Sequence, residues 1–264
     1  MIMMTKGIML AGHGSTQAFN KGVMDMQAQL LRDKGLENVY VGFNEFSFPT
    51  IRDAAEDMVA DGIDDILVVP FFVASGLHVT RDIPMKHFGL PRDSTGGEVE
   101  ISGKKVNVKI ESAFGEDPNL TDILLERIED LKTPGKRLGI LVMGHGSRLD
   151  YNSDVVSLNA QRIRDRGYTD VRVGYNEFNE PKIEDSIKEM IRDGLEEIIA
   201  LPLFISLGKH LTMDVPMKLG METYSDCADV TVDGHTATVK YAYPVGSDPR
   251  LSDVLVEKIR KAGW

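Results

Sequence analysis

The chain has 264 residues, enough for one large domain or for two of about 130. It is 42% hydrophobic and 27% charged, a composition of globular proteins with real cores, and no apolar run nears the roughly 18 residues of a membrane span. A net charge of −11 without a basic run speaks against a nucleic-acid partner, and a single cysteine, Cys227, excludes an internal disulfide and a cysteine-based metal site.

In chain order, Gly7–Ala11 reads as a first strand; the short apolar start that leads into it is not a signal peptide, and a cytoplasmic location fits. A helix is expected over Gln17–Lys34, closed by Gly35. A strand follows at Val39–Phe43, then a helix at Thr50–Asp61 stopped by Gly62. Ile66–Phe72 is a buried strand and Asp82–Phe88 a short helix, with Thr80 and Asp82 as caps; the alternative role for Asp82 is to orient His78. The polar stretch Arg92–Gly103 reads as a loop or hairpin over the sheet. Val106–Ile110 is a fourth strand, and Asn119–Leu131 a helix opened by Asp117-Pro118. Strands alternating with helices imply a mainly parallel, four-stranded, doubly wound α/β sheet with right-handed crossovers.

The pattern then repeats. Gly7-Ile-Met-Leu-Ala-Gly-His13-Gly-Ser15 returns as Gly139-Ile-Leu-Val-Met-Gly-His145-Gly-Ser147. Glu45 and His78 return as Glu177 and His210, each 132 residues on, as is His145 from His13. Gly115-Glu-Asp-Pro118 pairs with Gly246-Ser-Asp-Pro249 after one deletion. A period this long is a duplicated domain and no solenoid repeat. The expected halves are 1–133 and 136–264, with the turn-forming Thr133-Pro134-Gly135-Lys136 as the seam.

Ligands of open parallel sheets bind beyond the C-terminal strand ends, at the switch point of the strand order. His13, Glu45 and His78 follow strands one, two and three, so an order 2-1-3-4 brings them to one edge. A lone histidine after a strand is usually a loop hydrogen-bonder. Here two of them recur in register while neighbours drift: Thr16 faces Arg148, Leu77 faces Lys209 and Arg81 faces Met213. That contrast points to function. His-Gly-Ser is neither a Walker motif nor a dinucleotide fingerprint, and Ser15 lacks the context of a hydrolase nucleophile. Gly12 and Gly14 read as turn glycines. The remaining histidines, His87 and His235, have no counterpart and read as surface residues, and the thirteen methionines as core filler.

These segments together resemble the sirohydrochlorin chelatases, the class II chelatases of the small archaeal type. The residues that carry the likeness are the His-Gly-Ser turn, Gly42-Phe-Asn-Glu45-Phe-x-x-Pro49, Val69-Pro-Phe-Phe72, Gly76-x-His78-x-Thr-Arg-Asp-Ile-Pro84 and Gly115-x-Asp-Pro118-x-Leu120. The likeness spans nearly all of both halves. It implies insertion of a divalent metal, Co2+ or Ni2+, into sirohydrochlorin with release of two protons. Iron insertion is the alternative within the class, and a non-catalytic metal or tetrapyrrole carrier the alternative outside it. No tightly bound cofactor is implied, the metal being a substrate. Small members of the family pair as homodimers, so this chain reads as a monomer that mimics such a dimer. Longer members commonly keep the histidine pair in one half; this chain keeps it in both.

On this reading His13 and His78 hold the metal, and one of them accepts a pyrrole proton, since imidazole titrates near neutrality and suits borderline metals. Glu45 relays that proton or positions the macrocycle. His145, His210 and Glu177 are the second set. The substrate is a polycarboxylate, so an acidic chain must offer local donors: Arg81, Lys86, Lys209 and Lys218. The loop Phe72, Val73, Ala74, Ser75, Gly76 and Leu77 offers backbone N–H groups and an apolar wall.

Overall fold

A computed structural model describes residues 4–16, 18–208 and 210–264, and the side chains of all of these except Ala18 and His210. The elements run β1 (Lys6–Gly12), α1 (Ala18–Asp33), β2 (Val39–Phe43), α2 (Ile51–Ala60), β3 (Asp65–Pro70), a wide π-type helical segment (His78–His87), β4 (Gly96–Ile101), β5 (Lys104–Ile110) and α3 (Pro118–Leu131). The same succession follows: β6 (Leu138–Gly144), α4 (Tyr151–Asp165), β7 (Val171–Tyr175), α5 (Ile183–Arg192), β8 (Glu197–Pro202), a π-type turn (His210–Asp214) running into α6 (Val215–Lys218), β9 (Cys227–Val232), β10 (His235–Tyr241) and α7 (Leu251–Lys261). No helix among the described residues is long and apolar enough to cross a membrane.

Each half supplies one five-stranded sheet, in the orders β2-β1-β3-β5-β4 and β7-β6-β8-β10-β9. Four strands of each are parallel, in the order expected, with β1 and β3 adjacent. The fifth strand corrects the four-stranded expectation. Of the two readings of 92–103 the hairpin holds, but it does not lie over the sheet: residues 96–101 pair antiparallel with β5 and extend the sheet as its edge strand. Ser102 and Gly103 both take positive φ (52° and 75°), the two-residue turn whose twist matches a hairpin. Asp233 and Gly234 do the same between β9 and β10.

The central strands are buried along almost their whole length, as strands covered on both faces must be. In the first sheet Met9, Ala11, Ile66 and Val68 pack under α2 together with Ile83 from the π-type segment and Phe88 just past its end. The second sheet repeats this with Leu141, Met143, Ile198, Ala200 and α5. Thr50 caps α2 as a capping box: its hydroxyl accepts from the Asp53 N–H, and the Asp53 carboxylate accepts from the Thr50 N–H.

The compact units do not end where the sequence repeat ends at 133. One comprises residues 1–115 with 249–264, the other residues 116–248. Each unit therefore contains the closing helix of the other repeat. The reason is packing: α7 lies against α1, and α3 against α4 and β8, so each helix finds the apolar face it needs beyond the turn that precedes it.

A candidate metal site at the strand ends

The site of the first unit is built on three consecutive strand ends. His13 leaves β1, Asn44 and Glu45 leave β2, and Phe72–Leu77 leave β3 and deliver His78 to the first turn of the π-type segment. Backbone bonds knit the first two loops together: Asn44 N–H donates to Gly12 O (2.8 Å) and Glu45 N–H to His13 O (3.0 Å). Gly14 permits this approach. It has φ +88°, and a Cβ there would overlap the carbonyl oxygen of Glu45. Gly146 repeats the arrangement against Glu177.

The three expected residues converge. One donor atom from each of His13, Glu45 and His78 lies within 4.8 Å of the others, and this is the cluster that the described residues form. The rings of His13 and His78 meet edge to face, 4.4 Å between centroids. His13 Nδ1–H donates to Gly14 O (3.1 Å), and His78 Nδ1–H donates to Asp82 Oδ2 (2.8 Å). Ligating histidines are usually held this way, the second nitrogen bonded to a carbonyl or carboxylate and the other facing the metal. Glu45 Oε1 lies 3.3 Å from His13 Nε2, so the carboxylate stands beside the open nitrogen. Asp82 is no cap. It sits within the helical segment and orients His78. Burial alone would raise its pKa, but bonds from Arg81 and His78 outweigh this and hold it below the usual carboxylate value.

The other expected residues have varied places. Phe72 stacks on His78 (6.0 Å) while Val73 is buried in the core. Ala74 and Leu77 are half-buried, Ser75 Oγ accepts from the Ala113 N–H, and the Gly76 carbonyl accepts from the Val79 and Thr80 N–H groups. Arg81 is partly exposed and donates to Asp82 (2.7 Å). Lys86 is tied to the Asn44 carbonyl (3.1 Å) and Lys218 to that of Asn176 (2.6 Å), so both brace the loop. In the second unit Glu177 N–H donates to His145 O (2.8 Å), as in the first. Lys209 and the side chain of His210 lie outside the described residues.

His87 corrects the surface reading. It is 4% exposed, and its Nε2–H donates to Asn44 Oδ1 (2.9 Å). The Asn44 amide in turn lies 3.2 Å from His78 Nδ1. His87 thus stands behind the residue that flanks His78 of the candidate site. In the second unit its place is taken by buried Leu219, and Lys218 Nζ reaches Asn176 Oδ1 instead (2.8 Å). Burial, helped by the nearby Lys86, pushes the His87 pKa down to about 4. An unfolded imidazole has a pKa of about 6.5. Between those values the unfolded chain takes up a proton that the folded chain refuses, so stability present above pH 6.5 falls as pH drops toward 4. The expected loss is about 3 kcal/mol. Urea unfolding at pH 7 and pH 4.5 checks it: His87→Leu should show a smaller acid loss than the parent, after a cost at pH 7 of about 1–3 kcal/mol for the unpaired Asn44 oxygen. Equal acid loss in both proteins would refute the assignment.

Comparison with known proteins is consistent with this geometry. The sirohydrochlorin cobaltochelatase of Methanosarcina barkeri is 36% identical over 129 residues, which are 48% of this chain and 98% of that protein. Among solved structures, SirB from Bacillus subtilis with Fe3+ superposes with a TM-score of 0.74 at 17% identity, over 98% of this chain and 95% of that one. SirB from Bacillus subtilis subspecies spizizenii in complex with cobalt gives 0.66 at 16% identity, with coverage of 98% and 95%; at such identities these two show the shared fold. The family model CbiX matches residues 7–131 and again residues 139–262. The chain therefore belongs to the CbiX family of sirohydrochlorin chelatases, and carries two copies of its unit.

Proposed function

We propose that the chain inserts Co2+ or Ni2+ into sirohydrochlorin, taking the metal on His13, His78 and Glu45. The observation that carries this is the convergence of those three donors, with both imidazole Nδ1 atoms already engaged. Two nitrogens and one oxygen suit borderline divalent metals better than Mg2+ or Ca2+. Three protein donors leave coordination positions open to water and to incoming pyrrole nitrogens. A closed four-ligand site would not release its ion. Insertion exchanges the two pyrrole protons for the metal. As the metal leaves, Glu45 and the freed imidazoles become bases at the place where those protons appear, and Asp82 stabilises a charged His78. Arg81 and the Phe72–Leu77 loop meet the macrocycle and its carboxylates in the first unit; Lys209, which the sequence repeat aligns with Leu77, is proposed as a donor of the second. By the sequence repeat, His145, His210 and Glu177 are the residues proposed for the same task in the second unit.

A second reading, iron insertion, is favoured by the carboxylate in the set, because two histidines and one carboxylate are also a ligand set of iron(II). Parallel anaerobic assays with Co2+, Ni2+ and Fe2+, followed by the absorbance of the metallated product, decide between them. Cobalt or nickel is expected to give the highest kcat/KM. Iron ahead of both would replace this reading with the second. No acceleration over the spontaneous rate with any metal would leave a carrier.

A further inference from the structure

The Phe46 ring is 62% exposed and the Phe178 ring, at the same register of the second unit, 53% exposed. One exposed aromatic needs no explanation. These two have more to account for. Both residues take positive φ, 62° and 55°, a region that a Cβ makes unfavourable and that glycine or asparagine enters readily. Backbone strain retained beside a site is a reason to look for a task. Each ring also lies nearly parallel to the first histidine of its unit: Phe46 to His13 at 6.0 Å and 20°, Phe178 to His145 at 6.4 Å and 20°.

The turn that presents the Phe46 ring is pinned. Ser47 N–H donates to Glu45 O (2.8 Å), Ser47 Oγ donates to Ser15 O (2.9 Å), and Ser15 N–H donates to Ser47 Oγ (3.0 Å). In the second unit Asn179 Oδ1 takes the N–H of Ser147 (2.7 Å). A fixed, strained turn thus holds an apolar face in water, one ring away from the donors of the metal site. In the second unit the Arg148 guanidinium lies 5.7 Å from the Phe178 ring centre, a cation at the rim of that face.

We infer that Phe46 and Phe178 are platforms on which a flat conjugated macrocycle stacks while its centre meets the metal. This rests on the chelatase reading above. The ring makes ordering of a planar substrate favourable by offset stacking, and burial of the exposed ring on binding supplies the driving force. Arg148 then faces a carboxylate on the macrocycle edge in the second unit, where the first has Thr16.

The test is the full chain with Phe46→Gly and Phe178→Gly together, so that neither unit masks the other, beside Phe46→Trp/Phe178→Trp. Metal-free sirohydrochlorin is titrated by absorbance, Co2+ by its visible spectrum, and Tm is measured. Glycine relieves the positive φ, so the glycine variant should melt no lower than the parent and bind Co2+ as the parent does. Its affinity for the macrocycle should fall by about tenfold, the effect of losing one aromatic stack, and tryptophan should preserve affinity. Unchanged macrocycle affinity in the glycine variant overturns the inference. So does a lowered Tm with loss of Co2+ binding, which would make the rings supports for the histidines. Failure of the parent itself to bind the macrocycle would sink the chelatase reading, and this inference with it, before any variant is compared.

Discussion

Changing His13 and His78 together to alanine is expected to slow metal insertion by at least ~100-fold, because it removes two of the three proposed metal donors and both proposed imidazole proton acceptors, and loss of one positioned acid or base alone typically costs 10²–10⁴. Stability should hardly move. Both side chains are more than a third exposed, so their truncation opens no core cavity. Asp82, which loses its His78 partner, keeps Arg81 at 2.7 Å and is not left as a lone half-buried charge. A preserved Tm with lost activity would therefore separate chemistry from folding. Glu45→Gln should lose less, since an amide oxygen still ligates weakly but cannot accept the proton. His145→Ala/His210→Ala reports on the second unit. Loss equal to that of the first pair would mean two sites that depend on each other; a small loss would mean that the first unit does most of the work. Full activity in the quadruple variant would overturn the mechanism, whatever the metal.

The convergence of the candidate site was legible because its residues sit at strand ends, and strands covered on both faces announce themselves as apolar runs. Gly7–Ala11, Val39–Phe43 and Ile66–Phe72 place His13, Glu45 and the His78 loop without reference to distant partners, once the order 2-1-3 holds. What escaped depends on partners far along the chain. His87 looks like a surface residue because nothing near it in sequence pairs with it; its acceptor is 43 residues away and its repeat position is leucine. The edge strands 96–101 and 227–232 are polar because an edge has less to bury, although Asp233-Gly234 is a hairpin signal in its own right. The units ending at 115 and 248 escaped for another reason. Sequence similarity records where a gene was copied, while compactness depends on which sheet a helix covers. Glu45 is similar: its position was readable, but its carboxylate standing 3.3 Å from the open nitrogen of His13 is a fact of geometry.

The helix that closes the first repeat carries the second large effect. Arg127 on α3 is 2% exposed and meets Asp248 from the end of the second repeat: Nε–H donates to Asp248 Oδ2 at 2.7 Å. Nη1–H donates to Tyr243 O (2.8 Å) and Nη2–H to Pro244 O (3.3 Å), while the guanidinium lies 4.3 Å from the Tyr243 ring centre. All these groups belong to one unit. A buried ion pair gives little over an apolar replacement, but removing one partner strands the other charge, at about 3–5 kcal/mol. Asp248→Ala is therefore expected to lower the free energy of unfolding by that amount. The duplicated aspartate, Asp117, makes the control. It belongs to the same Gly-x-Asp-Pro motif, yet it caps α3 by accepting from the Asn119 N–H (3.0 Å), and loss of such a cap costs about 1 kcal/mol. Urea unfolding of the two alanine variants should separate them by at least about 2 kcal/mol. Arg127→Met/Asp248→Leu should recover most of what Asp248→Ala loses, because it removes both charges and keeps the volume. Equal effects of the two aspartates would mean that Arg127 is solvated in the variant, and that the pair does not hold α3 in its unit.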